Sequence, residues 1–228
     1  MIHFKRFCVI LVFFSFIASC SRLAPAPLLP EHLKSEMVSK CESVYLDGKW
    51  QLTHSIEVSF PGNRKTVMIG VTELDQDKKR AHCVLMTLEG FVLFEAISTN
   101  RIRVKRAVPP FDAPGFAKGL MDDISLIFFK QGQGNAFLPV QLKAGAGCRQ
   151  TIKNHQVVDL VPSSGSTWKL FKFDKNGRLT RSVEAKGPSV PNRRGAQGLP
   201  ETITLSAHGS NKYKLVLRRI DAIQIRDD

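Results

Sequence analysis

From residue 50 onward the sequence reads as strand after strand with almost no chain to spare between them, and that succession constrains the fold more than any other feature. Apolar and β-branched runs occupy 50–60, 65–74, 81–88, 91–99 and 101–108, separated by Pro61-Gly62-Asn63, the charged stretch 75–80, Glu89-Gly90 and Asn100. A parallel crossover needs a dozen residues or more, so joints this short predict an antiparallel meander. The fifth run sets Ile102 and Val104 against Arg101, Arg103 and Lys105, so it has one buried and one wet face. The third and fourth runs are apolar on both faces, with Val84, Met86 and Leu88 against Cys83 and Leu85, then Phe91, Leu93 and Ile97 against Val92, Phe94 and Ala96. That pattern assigns them to the sheet centre, covered on both sides.

A covering element follows. Within 115–130, Phe116, Leu120, Ile124 and Phe128 recur every fourth residue, with Ala117, Met121 and Ile127 beside them and Asp122 and Asp123 opposite. This spacing predicts an amphipathic helix that packs on the sheet and ends at Gly132, Gly134 and Asn135. After a weak signal over 137–147, strands return at 149–161, 167–174 and 178–185, the last two joined across Asn176-Gly177. A polar Gly- and Pro-rich loop over 187–200 leads to a closing hairpin, 201–207 and 212–225. The fold class is therefore mainly β (α+β), a curved antiparallel sheet or half-barrel of about ten strands with a covering amphipathic helix. An antiparallel sheet of that width curls rather than staying flat.

The N-terminus carries an address. Lys5 and Arg6 precede an apolar core from Phe7 to Ile17, too short at 11 residues for the ~20 of a spanning helix, and a small-residue exit follows. The exit, Ile17-Ala18-Ser19-Cys20, resembles the lipobox of bacterial lipoproteins. That resemblance implies that residues 1–19 are a signal peptide and that Cys20 becomes the first mature residue, bearing a diacylglycerol thioether and an N-acyl chain of the palmitate type. Three chains make a lasting anchor where one would hold only marginally. Ser21 stands where lipoproteins kept in the inner membrane often carry Asp, so the expected location is the outer membrane, lipid-anchored and facing the periplasm. Residues 20–30 form the lipidated Cys and a tether made stiff and extended by Pro25, Pro27 and Pro30. A helix over Glu31–Glu42 opens the single domain, 31–228, with Leu33, Met37, Val38 and Cys41 at helical spacing.

Removing residues 1–19 takes away Lys5 and Arg6 and no acid, leaving 31 basic and 20 acidic side chains, a net charge of +11. On an exported protein this charge favours anionic lipid head groups or acidic glycans and makes nucleic acid an unsuitable partner. Besides Cys20 the mature chain has Cys41, Cys83 and Cys148, so at most one internal bridge can close. Cys83 lies in an apolar strand, where a free thiol behaves as a small hydrophobe, which leaves Cys41–Cys148 as the expected pair.

The text Leu85-Met86-Thr87-Leu88-Glu89-Gly90-Phe91-Val92-Leu93-Phe94, between an N-terminal helix and a post-meander helix, resembles the Lol-type lipoprotein carriers and receptors over about 50–129. It is similar also to a family of predicted bacterial lipoproteins of that fold. The resemblance implies an incomplete barrel capped by helices whose apolar cleft takes the acyl chain of a lipid or lipoprotein without chemistry. The receptor branch has a protruding apolar loop after its third strand, whereas here that joint is the tight Leu88-Glu89-Gly90-Phe91. The cleft is expected to be lined by Met86, Leu88, Phe91, Leu93, Phe116, Leu120, Ile124 and Phe128, although plain core is an equal reading of the same residues. Arg101, Arg103, Lys105 and Arg106 are head-group candidates, or else a solvated strand face.

No Gly-x-Ser-x-Gly elbow, His-Glu-x-x-His, phosphate loop or Gly-x-Gly-x-x-Gly occurs, and no His/Cys cluster has metal-ligand spacing. No enzyme activity, cofactor or metal is expected. His54 and His82 lie in strand-like runs within reach of Glu57 or Asp75. The alternative function is a non-catalytic interaction subunit that docks on envelope proteins through its basic face or the loop 187–200.

Overall fold

A computed structural model describes residues 23–62, 64–131, 137–164, 166–187, 199–209 and 212–226. The signal peptide, Cys20 and most of the loop 187–200 lie outside the described residues. Helix α1 spans Glu31–Glu42 as expected, started at Pro30. Twelve strands follow: β1 Lys49–Ser59, β2 Lys65–Asp75, β3 Arg80–Met86, β4 Val92–Ser98, β5 Ile102–Ala107, β6 Leu138–Leu142, β7 Gly145–Ile152, β8 Gln156–Pro162, β9 Trp168–Phe173, β10 Leu179–Lys186, β11 Thr202–Ala207 and β12 Tyr213–Ile225. Helix α2, Phe116–Phe128, stands between β5 and β6.

The strands make one antiparallel sheet in the order β5-β4-β3-β2-β1-β12-β11-β10-β9-β8-β7-β6. The expected count of about ten rises to twelve in two places. The weak stretch 137–147 supplies β6 and the start of β7. The run 149–161 is broken by a turn at Lys153–His155, where Asn154 and His155 take positive φ. The sheet is a curved open half-barrel whose two edges, β5 and β6, are joined through α2, so the helix crosses the concave face.

Pairing fixes which residues face inward. In β1, Leu52, His54 and Val58 are buried. Leu52 pairs with Thr72, Thr72 with Cys83 and Cys83 with Ala96, which carries the same face through β2, β3 and β4. The other half presents Leu205, Val183, Leu170, Leu160 and Cys148 to the same core. A disulfide joins Cys41 of α1 to Cys148 of β7, and Cys83 stays free and buried, as expected. Burial pushes the Cys83 thiol up to about 12, which keeps it protonated and unreactive at neutral pH.

Two expectations change. β3 and β4 are not central: they stand next to edge β5, and the centre of the sheet is β12 and β11. Their doubly apolar text leaves Val84, Met86, Val92 and Ile97 half-buried on the outer face. The segment 23–30 is extended, yet it is docked rather than free. Leu28 bridges Val140, the Leu29 amide donates to Pro139 O, and the Gln141 amide donates to Pro27 O. It thereby covers the β6 edge that would otherwise present unpaired backbone groups. Edge β5 lies open and carries Arg103, Lys105 and Arg106, charges of the kind that discourage edge-to-edge pairing.

Alternation of strand direction puts the turns at 60–64, 87–91, 153–155, 174–178 and 208–212 on one rim of the half-barrel. The turns at 76–79, 99–101, 143–144 and 163–167 lie on the opposite rim.

Candidate functional site

Helix α2 runs across the concave face from the first rim toward the second. Its stripe of Met121, Ile124, Leu126, Ile127 and Phe128 is buried, at about 2 kcal/mol of gross apolar burial for each side chain. At its start Phe116 meets Phe94 of β4 and Phe111 edge-on, both with ring centroids 5.2 Å apart. At its end the Gln76 amide from the β2–β3 turn donates to Phe128 O at 2.7 Å, satisfying one of the carbonyls a helix terminus leaves open.

A polar clamp fixes the middle of the helix. Asp123 is buried and accepts from Arg181 Nε on β10 at 2.8 Å and from the Tyr213 hydroxyl on β12, while the Arg181 guanidinium lies 5.4 Å from the Tyr213 ring centroid. Burial, reinforced by the Asp123 carboxylate, raises the Tyr213 hydroxyl well above its usual range, so it remains a donor. The helical pattern marked Asp123 as solvent-facing. Partners 58 and 90 residues away make its burial tolerable, and no local signal reveals them.

Of the expected lining residues, the structure brings Phe116, Leu120, Ile124 and Phe128 together along α2 on the concave face, Ile124 and Phe128 buried and the other two half-buried. It does not bring Met86, Leu88, Phe91 and Leu93 to them. Met86 pairs with Ile69 on the outer face, Leu93 sits at the β3–β4 register shift, and Leu88 and Phe91 occupy the turn at 64% and 54% exposure. The reason is the phase: with both faces apolar, β3 and β4 present Leu85, Phe94 and Ala96 to the helix instead. The hairpin into β5 contained the signal, because inward Ile102 pairs with Ser98 and Val104 with Ala96, but at the sheet edge Ile102 is only half-buried and Val104 is exposed, so the expected buried face of β5 is not formed.

The apolar stripe is buried along most of α2, and Phe111, Phe116 and Leu120, ahead of the helix and in its first turns, are half-buried. The head-group candidates lie on the outer face of β5 and in the turn before it. Lys105 Nζ is held by Glu95 at 2.9 Å, Arg106 lies over the Phe91 ring at 5.1 Å, and Arg101 and Arg103 are exposed. A separate cleft of about 220 Å³ on the outer face is lined by charged Lys49, Glu73, Asp75 and Arg80 with His82 and by apolar Leu74 and Ile225.

Neither histidine adopts the pairing considered from the sequence. His82 sits between Glu73 at 3.3 Å and Glu95 at 3.0 Å on the outer face. His54 is buried opposite Phe128, ring centroids 6.1 Å apart, and burial with help from nearby Arg219 holds it down at about 4. The folded state therefore binds fewer protons than the unfolded chain between about pH 6.5 and 4, and His54 removes stability as pH falls through that window. Urea unfolding at pH 7 and pH 4.5 is expected to show an acid loss about 2 kcal/mol larger in the wild type than in His54→Leu. Equal acid losses in the two proteins would contradict it.

No family model matches the sequence, and no curated protein matches it. Solved structures do match. A LolA superfamily protein from Nitrosomonas europaea aligns over 85% of this chain and 94% of its own, with a TM-score of 0.52 and 11% identity. The fold is Lol-type. Two further structures align at a TM-score of 0.49 each: an outer membrane lipoprotein-sorting protein domain from Vibrio parahaemolyticus, at 10% identity over 84% of this chain and 92% of its own, and a DUF1329 family protein from Desulfovibrio piger, at 9% over 83% and 90%. At 11% identity the first of these likenesses establishes the backbone arrangement and says nothing of a ligand.

Proposed function

We propose that this Lol-type chain is a lipid-anchored protein of the outer membrane, facing the periplasm, that binds an acyl chain of a lipid or lipoprotein between α2 and the concave face without chemistry. The observation that carries this reading is the seam itself. An open sheet lays an apolar helix across its concave face, and Phe111, Phe116 and Leu120, just ahead of that helix and in its first turns, are left half-buried. A chain entering there buries methylenes at about 0.8 kcal/mol each against aromatic and aliphatic walls. The basic residues around edge β5 favour an anionic head outside.

The test uses displacement of a fluorescent fatty acid. Leu120→Asp, at a half-buried position, is expected to weaken binding by roughly thirtyfold, the equivalent of about 2 kcal/mol, while circular dichroism stays unchanged. Arg103→Ala, which removes one exposed head-group candidate, is expected to weaken it by no more than about threefold. Unaltered binding in a folded Leu120→Asp protein would remove the seam as the site.

A further inference from the structure

The docked N-terminal segment fixes how the molecule stands on its membrane. Leu23, the first described residue, donates its amide to Gly177 O at 2.7 Å, at the tip of the β9–β10 hairpin. Gly177 takes φ 72°, and a Cβ there would lie 3.3 Å from Leu23 Cβ, so the glycine suits both the turn and the close approach. Behind Leu23, the Ala24 carbonyl accepts from Arg149 Nη1 at 3.1 Å. Arg149 itself is held by a bidentate pair to buried Asp159, at 2.7 and 2.8 Å. Ala26 then packs on the cluster of Val140, Leu142 and Val161, as does Phe171. Backbone bonds, an ion pair and an apolar patch thus hold the segment from 23 to 30.

We infer that the rim carrying the turns 60–64, 87–91, 153–155, 174–178 and 208–212 rests against the anionic bilayer surface, with the β9–β10 hairpin nearest to it. This inference rests on the reading of Cys20 as the lipidated residue. Cys20 is three residues from Leu23, a reach of about 10 Å at full extension. The hairpin tip therefore cannot stand farther than that from the head groups, whereas β1 alone is 11 residues long, about 35 Å, and separates the two rims by that order. The charge fits: Lys153, Lys175 and Arg178 are exposed beside the docked end, and the one acid of the turn 174–178, Asp174, is engaged by the Asn176 and Arg178 amides. Exposed Phe60 lies on the same rim. So does the start of α2 with half-buried Phe111 and Phe116, so the end of the helix at which an acyl chain would enter faces the bilayer.

The test is depth-resolved quenching on the full-length lipidated protein. A fluorophore is placed at Asn176→Cys on this rim or at Asp77→Cys on the other; the bridged cysteines and buried Cys83 do not compete for the label. The protein is reconstituted in vesicles of phosphatidylethanolamine and phosphatidylglycerol containing a lipid with a nitroxide on its head group. Quenching is expected to be severalfold stronger at 176 than at 77, and Ala26→Asp, which loosens the docked segment, is expected to narrow that difference without detaching the protein. Equal or reversed quenching in protein shown by mass to be acylated and bound to vesicles overturns this orientation alone. Recovery of the chain without acyl mass at Cys20 overturns the anchor and the orientation together.

Discussion

Replacing both bridge cysteines, Cys41→Ala with Cys148→Ala, is expected to lower the unfolding free energy by about 4 kcal/mol and the melting temperature by roughly 10 °C. The bridge closes a loop across a sequence separation of 107, and a loop of that length restrains the unfolded chain strongly in the chain-entropy account. It also ties down an element that has little else to hold it. Within α1 only Cys41 is buried, with Met37 and Val38 half-buried against the core, and most of the helix is polar and wet. Urea unfolding of the oxidised protein, the reduced protein and the double variant checks this directly. The last two are expected to agree with each other and to fall short of the first. A loss under about 1 kcal/mol would mean that the α1 contacts suffice alone.

The second large effect is at the clamp. Asp123→Ala is expected to cost about 3–5 kcal/mol, because it leaves the partly buried Arg181 guanidinium without its carboxylate and the Tyr213 hydroxyl without its acceptor. Removing one member of a buried pair costs more than the pair is worth intact, so the order of effects is diagnostic. Tyr213→Phe, which deletes one hydrogen bond, is expected to cost only about 1 kcal/mol. A double-mutant cycle between Asp123 and Arg181 is expected to return a coupling above about 1 kcal/mol. Additive single effects would show that α2 is held by its apolar stripe alone.

Much of this architecture is written locally, and what is not can be named. Pro30 and the spacing of α1 gave its limits, the four-residue repeat gave α2, and Asn176-Gly177 gave the β9–β10 hairpin, because each rests on neighbours in the chain. The bridge was reachable because Cys83 lies in a strand apolar enough to bury a thiol. The face of β3 and β4 was not legible within those strands, since alternation says nothing when both faces are apolar, and the phase enters only by pairing with β2 and β5. The breaks at Lys153–His155 and the short β6 escaped for a different reason. At 153–155 the one turn former, Asn154, stands inside an otherwise strand-like run, and in β6 Pro139 weakens the strand signal, so the sheet edge and the docked segment supply their order. Asp123 and the docking of 23–30 depend on partners at sequence separations of 58 and 125, for Arg181 and for Arg149 to Ala24.

The central claim, an acyl-binding seam under α2, is tested most directly by native mass spectrometry with lipid extraction on residues 21–228 purified from a Gram-negative host. The account predicts co-purifying phospholipid or fatty acyl species in the wild type and their loss in folded Leu120→Asp. A clean apo mass that takes up neither added fatty acid nor added phospholipid would contradict it and would make the space beneath α2 ordinary core.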